Sequence, residues 1–430
     1  MNRIHLRSSI ILLLVIALPG QSRAYSVLTH EQIVDFLWRD EVQPLLLARF
    51  PGATEEDLRK AHAYAYGGCV VQDMGYYPFG SKFFSNLVHY VRSGDFVVAL
   101  LQESSSLDEY AFALGALAHY SSDTSGHPTI NHVVALAFPK LRAKYGGQVT
   151  YADNPKAHIQ TEFGFDVIQV AKNRYTSDSY HDFIGFQVSK PALERAFETT
   201  YDIKLEDAFG HLDLAIGTFR RAVSQIVPEM TRVALASRRL DIVKDTPNFS
   251  EKTFLYYLSR TEYEKEWGAT YRRPGFGTRF LAFLLRLIPK VGPFRALAFK
   301  IPTTQTEDMY IKSVDKTVEN YRTLLREVGD PRLHLTNLDC DTALEPRAGE
   351  YVLSDETYAQ LLHELSRRGL DHTTPDLRNN ILAFYATPAA PGGRRRNDKA
   401  WRCTLRELES LRALSVTAAR PSSEPKGTLR

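Results

Sequence analysis

The chain has 430 residues, 44% hydrophobic and 24% charged, with a formal net charge of +3. A chain of this length and apolar content can bury its core without covalent staples, and three cysteines exclude a disulfide-dense scaffold. Near-neutral charge excludes a protein drawn as a whole to nucleic acid or to an anionic membrane.

Residues 1–24 read as a secretory signal peptide. Arg3 and Arg7 precede an apolar run over 10–18, Pro19 and Gly20 break it, and Ser22 and Ala24 offer small residues for cleavage. The run is too short for a good membrane span. Cleavage before Tyr25 implies a periplasmic or extracellular protein, and removing Arg3, Arg7 and Arg23 takes the side-chain charge to zero. No cysteine directly follows that point, so a lipid anchor is not expected.

The residues from 25 to 240 read as one helical domain. Apolar spacing predicts helices over 31–38, 55–66, 110–120, 157–172 and 205–227, whereas 76–80 and 274–277 read as loops. A helical extension follows over 241–386, clearest at 315–327 and 355–368. Within it, 279–300 is apolar with spaced Arg279, Arg286, Lys290, Arg295 and Lys300, and Pro289 and Pro293 split it. A helical hairpin packed on the core is the favoured reading, and a pair of amphipathic helices lying on a membrane surface is the alternative. Residues 387–430 comprise a linker, with Arg394 to Arg396 as solvated charge, a short helix over 401–414 and a polar tail. The predicted fold class is all-α.

Three metal-type side chains, His119, Asp123 and His127, recur every fourth residue, and His158 and Glu162 repeat the spacing. Residues four apart share a helix face, and nitrogen and oxygen ligands of this kind suit zinc. An imidazole and an acid at this spacing are ordinarily a solvated pair. Here, however, residues 110–118 (Tyr-Ala-Phe-Ala-Leu-Gly-Ala-Leu-Ala) are apolar all round, which predicts a buried helix. Buried ionisable groups are rare unless paired or metal-bound. Of the cysteines, Cys340 and Cys403 are the expected disulfide pair, because Cys69 lies in the candidate metal region.

Further motifs precede and follow these ligands. They are 25–30 (Tyr-Ser-Val-Leu-Thr-His), 71–78 (Val-Gln-Asp-Met-Gly-Tyr-Tyr-Pro), 88–90 (Val-His-Tyr) and 158–164 (His-Ile-Gln-Thr-Glu-Phe-Gly). In this order the chain resembles the zinc-dependent phospholipase C family over about 25–170, and as far as 240 at most. Within that family it looks most similar to the amino-terminal domain of glycosylphosphatidylinositol-specific phospholipase D, and fungal single-strand nucleases share the fold.

The resemblance implies an all-α enzyme with three zinc ions. Asp73, His89, His119 and Asp123 would hold one ion, and His127, His158 and Glu162 a second. The third would be held by the amine and carbonyl of Tyr25, with His30 and Asp123, so that Asp123 bridges two ions. Asp73 would also steer the attacking water. The four-residue gap from Asp123 to His127 matches the phospholipase D branch rather than the six of bacterial enzymes, and Tyr25 stands where many relatives have Trp.

The function implied is hydrolysis of a phospholipid by metal-activated water. Anchor-hydrolysing phospholipase D activity and single-strand nuclease activity are the enzymatic alternatives, although nothing in the charge favours nucleic acid. A protein merely stapled by zinc is the non-enzymatic one. Tyr76, Tyr77, Phe79, Phe83 and Phe84 either line the cleft, where they suit lipid contacts or base stacking, or cover the core.

Overall fold

A computed structural model describes residues 26–172, 185–227, 230, 231, 234, 299–386 and 398–418. The signal segment, Tyr25, the loop 274–277, positions 279–298 of the basic apolar stretch, the linker 387–397 and the tail beyond 418 lie outside them. Among the described residues the fold is all-α. No strand forms, and one isolated antiparallel bridge joins Asp339 to Leu344.

Local signals set the helix starts. Helix α1 (Val27–Leu37) leads through a π turn into α2 (Gln43–Arg49). Helix α3 (Glu55–Val71) opens on a capping box in which Thr54 and Asp57 exchange hydrogen bonds. It runs into a 3-10 turn, Gln72–Tyr76, followed by α4 (Lys82–Tyr90) and α5 (Ser93–Glu103). Helix α6 (Leu107–Ala137) is capped by the Ser106 hydroxyl, which accepts from the Glu109 amide, and is followed by α7 (Pro139–Tyr145) and α8 (Pro155–Ala171).

α6 is the axis of the molecule. Its residues are buried from Glu109 to Asp123, as an all-round apolar stretch requires. α3 lies against it at close range because glycines from both helices meet. A Cβ on Gly68 would sit 2.0 Å from the Phe112 carbonyl oxygen, and one on Gly115 would sit 2.1 Å from that of Ala65. α1, α5 and α8 also pack on α6.

The expected continuous helix over 205–227 is interrupted. After α9 (Lys190–Tyr201) the chain forms α10 (Leu205–Ala208), α11 (Leu212–Arg221) and a π turn, Ala222–Ile226. Gly210, a weak helix former, lies in the break, where Phe209 turns inward to pack 5.2 Å from Phe84.

The extension contributes α12 (Thr304–Glu327), α13 (Val352–Arg368), α14 (Pro375–Phe384) and α15 (Asp398–Ala418). α12 buries Tyr310, Val314, Thr317, Tyr321 and Leu325, a stripe at three- and four-residue spacing, and lays it on α6. The Tyr321 hydroxyl donates to the Leu114 carbonyl at 3.0 Å. One hydrophobic cluster thereby runs from Val27 to Leu411.

The expected Cys340–Cys403 disulfide does not form, and all three cysteines are free. Cys340 is buried in a turn held by α4 and α6, whereas Cys403 is half-buried on α15, beside Glu407. No described helix is long and apolar enough to cross a membrane.

Candidate metal centre

Five segments bring eight ligand-type side chains together. α1 supplies His30, and its first turn is held from outside: Asp166 of α8 accepts the Leu28 amide at 3.0 Å and the Thr29 hydroxyl at 2.7 Å. One orphan amide of the helix start is thus met by a carboxylate from another helix. The 3-10 turn supplies Asp73, with the Gly75 amide tied to Ser85 at 2.9 Å and the Gln72 amide group to the Ala116 carbonyl at 3.1 Å. α4 supplies His89, α6 supplies His119, Asp123 and His127, and α8 supplies His158 and Glu162.

These residues form three trios, in each of which one ligand atom per residue lies within 4.8 Å of the others. They are His30, His119 and Asp123; Asp73, His89 and His119; and His127, His158 and Glu162. All eight residues are buried. His119 belongs to two trios, and its ring stacks on His30 at 4.5 Å. The Asp123 carboxylate faces three imidazoles: Oδ1 lies 3.8 Å from His30 Nε2, and Oδ2 lies 3.3 Å from His89 Nε2 and 3.2 Å from His119 Nε2.

Backbone carbonyls set which ring nitrogen is available. A carbonyl can only accept, so Nδ1–H of His89 donates to Ser85 at 2.7 Å, that of His119 to Cys69 at 2.8 Å, and that of His127 to Cys340 at 2.5 Å. Each leaves Nε2 for the interior. His158 is reversed: Nε2–H donates to Val149 at 2.6 Å, and Nδ1 faces Glu162 Oε1 at 3.1 Å. The Nε2 atoms of His89 and His119 face each other at 3.3 Å, and His127 Nε2 is buried with no hydrogen-bond partner among the described residues. Imidazole nitrogens converging beside carboxylates, with the remote nitrogens tied to carbonyls, is the arrangement that metal-ligating histidines adopt. The residues present therefore fit zinc.

Electrostatics agree. Burial opposes ionisation of Asp123, yet the charge and hydrogen bonding of His119, with His89, hold it well below the usual carboxylate range. Burial likewise opposes protonation of His89, but Asp123 outweighs it and raises the imidazole to about 9. Burial pushes His158 down.

Tyr25 lies outside the described residues. Of the five aromatics after Asp73, Tyr76 stands near the centre, 6.0 Å from His89. Lining of the cleft by all five is corrected: Phe84 is core, packed on Phe197 and Phe209, Tyr77 packs edge-on against Phe219, and Phe79 is 49% exposed. A surface pocket of about 490 Å³ bounded by Arg49, Phe50, Lys60 and Asp108 contains none of the eight residues.

The centre also includes residues that sequence spacing misses. Asp341 Oδ1 lies 3.5 Å from His127 Nδ1, and its Oδ2 accepts from Tyr90 at 2.8 Å and from Tyr351. Burial, with the neighbouring Asp341 carboxylate, raises Asp339 to about 7. The one signal was the Asp-Cys-Asp run at 339–341, which has no helical spacing to mark it.

Residues 29–210 match the family model for zinc dependent phospholipase C. No curated protein and no solved structure matches the chain. The matched span includes all eight residues of the trios and ends before the turn that carries Asp341. Over residues 29–210 this chain is thus similar to the zinc-dependent phospholipase C family.

Proposed function

We propose that the protein is an exported phosphodiesterase that holds three zinc ions and hydrolyses phospholipids to a diacylglycerol-type lipid and a phosphorylated headgroup. The family match over residues 29–210 supports phospholipid hydrolysis. The observation that carries the finer reading is the set of three buried trios, two of which share His119. A zinc ion that only staples a fold needs four ligands in a closed tetrahedron, and eight interlocked side chains exceed that.

In this reading Asp73, His89, His119 and Asp123 would hold one ion, and His127, His158 and Glu162 another. The third would be held by His30 and Asp123 together with the backbone of Tyr25. When bound, zinc supplies Lewis acidity toward phosphate oxygens and lowers the pKa of water to about 7. The carbonyls of Ser85, Cys69 and Cys340 hold Nδ1–H of their imidazoles and so aim Nε2 inward. Asp73 orients the attacking water and accepts its proton. Tyr76, beside His89, supplies an aromatic wall for the headgroup. The stretch 279–300 is a candidate contact with the lipid surface.

Purified protein beginning at Tyr25, incubated with phosphatidylcholine, phosphatidylinositol and single-stranded DNA, tests the reading. Release of a phosphorylated headgroup, abolished by chelation and restored by zinc, is expected. Cleavage of DNA alone would assign a nuclease, release of phosphatidic acid a phospholipase D, and a zinc-loaded protein that cleaves none of them a structural role. A chain keeping one Gly before Tyr25 should fold, bind two zinc ions rather than three and lose most activity. Full occupancy in that form removes Tyr25 from the centre.

A further inference from the structure

The turn Asp339–Leu344 comes from outside the family-matched span, yet it lies against the centre. Its geometry is set from within. Asp339 Oδ1 accepts the amides of Asp341 and Thr342 at 3.0 Å each, Ser354 donates to Asp339 Oδ2, and Ala343 adopts a positive φ of 58° to close the turn onto Asp339. It is also fastened from outside. The Cys340 amide donates to the His89 carbonyl at 3.0 Å, Asn131 of α6 donates to the Asp341 carbonyl at 2.9 Å, and Ser93 of α5 donates to the Leu338 carbonyl at 2.6 Å.

Two groups of this turn lie on the Nδ1 side of His127, opposite the Nε2 atom that faces the trio. The Cys340 carbonyl accepts the Nδ1 proton at 2.5 Å. Asp341 Oδ1 stands 3.5 Å from the same nitrogen, fully buried and with no hydrogen bond of its own among the described residues. Two phenols, Tyr90 and Tyr351, anchor the other oxygen and stop the carboxylate from turning away. A buried carboxylate with one oxygen saturated and the other aimed at an imidazole is costly unless positive charge develops on that imidazole. A cation bound at Nε2 develops it.

We infer that Asp341 is the positioning carboxylate of His127: the carboxy-terminal segment completes the second metal site, with Asp341 and the Cys340 carbonyl behind the imidazole that binds the ion. The inference rests on the zinc reading of the His127, His158 and Glu162 trio. Asp341 touches neither ion nor substrate and acts through His127. An outer carboxylate of this kind fixes ring orientation and raises ligand basicity, and its loss typically weakens metal binding about 10- to 100-fold.

Asp341→Asn in the full chain tests this, by zinc affinity from chelator competition and the thermal midpoint of zinc-free protein. Asn keeps the size of the side chain and an acceptor for the phenols. One zinc of three should bind about 10- to 100-fold more weakly, with the other two unchanged and the zinc-free midpoint unchanged or raised. Tyr351→Phe, which frees one anchor, should weaken the same ion by a smaller factor, and it decides the matter if Asp341→Asn does not fold. Wild-type affinity for all three ions in either folded variant overturns the inference. So does a lowered zinc-free midpoint with all three ions weakened together, the mark of a merely structural residue. Unmutated protein that binds no zinc instead overturns the metal reading beneath it.

Discussion

Asp123 faces His30, His89 and His119 with a single carboxylate, which makes it the residue whose loss reaches furthest. Asp123→Asn removes the negative charge that faces imidazoles of two trios, so it should lose more zinc than any other single substitution, as elemental analysis after dialysis would show. His132→Ala is the matched control, because His132 binds the Gly147 carbonyl and belongs to no trio. Equal zinc loss in both would refute the ligand assignment. His89 gives a pH prediction. In zinc-free protein Asp123 raises it to about 9 against the opposing effect of burial, so at neutral pH a proton occupies the nitrogen that zinc needs. Zinc binding should release that proton, and affinity should rise by about tenfold per pH unit up to about pH 9. Calorimetry in buffers of different ionisation enthalpy reads the release directly, and affinity flat between pH 7 and 9 would count against it. The same shift has a sign for folding. The stabilising contribution of the His89 proton to the zinc-free fold is complete below the ordinary value of 6.5 and is lost as pH rises through about 9.

Between elements, the decisive contact is the close approach of α3 to α6. It sets the Cys69 carbonyl against His119, and it is possible only because Gly68 and Gly115 carry no Cβ. Gly115→Ala would place a methyl 2.1 Å from the Ala65 carbonyl, a backbone atom that cannot swing aside. Overpacking of this kind costs roughly 1–3 kcal/mol, and here it also moves a carbonyl that aims a ligand. We expect a lower denaturation midpoint and weaker zinc binding together. Gly217→Ala on α11 is the control: nothing lies within 4 Å of the new Cβ, so it should be neutral or stabilising by up to about 1 kcal/mol. A Gly115→Ala protein as stable as Gly217→Ala would mean that the helices are not held at this distance.

At the scale of the molecule, the carboxy-terminal helices share the core of the family-matched span. α12 covers α6, Tyr310 meets the Thr29 hydroxyl at 2.8 Å behind His30, and the 339–344 turn stands behind His127. Ending the chain at residue 240 would bare the apolar face of α6 and remove both supports. Such a protein should be poorly soluble or fail to hold zinc, as gel filtration and metal analysis would show. A soluble 25–240 fragment with full zinc content would show that the later helices are dispensable.

The sequence alone determined the helical class and the shared helix face of His119, Asp123 and His127, and of His158 and Glu162, because both are local. A four-residue repeat of His and Asp puts ligands on one helix face, and the apolar residues around it specify burial before any partner is known. The break at Gly210 escaped because one glycine shifts helix propensity only modestly, whereas the inward turn of Phe209 depends on a distant Phe84. The expected disulfide failed because Cys340 is buried in the turn behind His127 whereas Cys403 is half-buried on α15 beside Glu407, placements that no local pattern encodes. Only the tertiary structure could decide that Asp341 stands behind His127. The two are far apart in the chain, no helical period relates them, and what joins them is the packing of one turn against two helices.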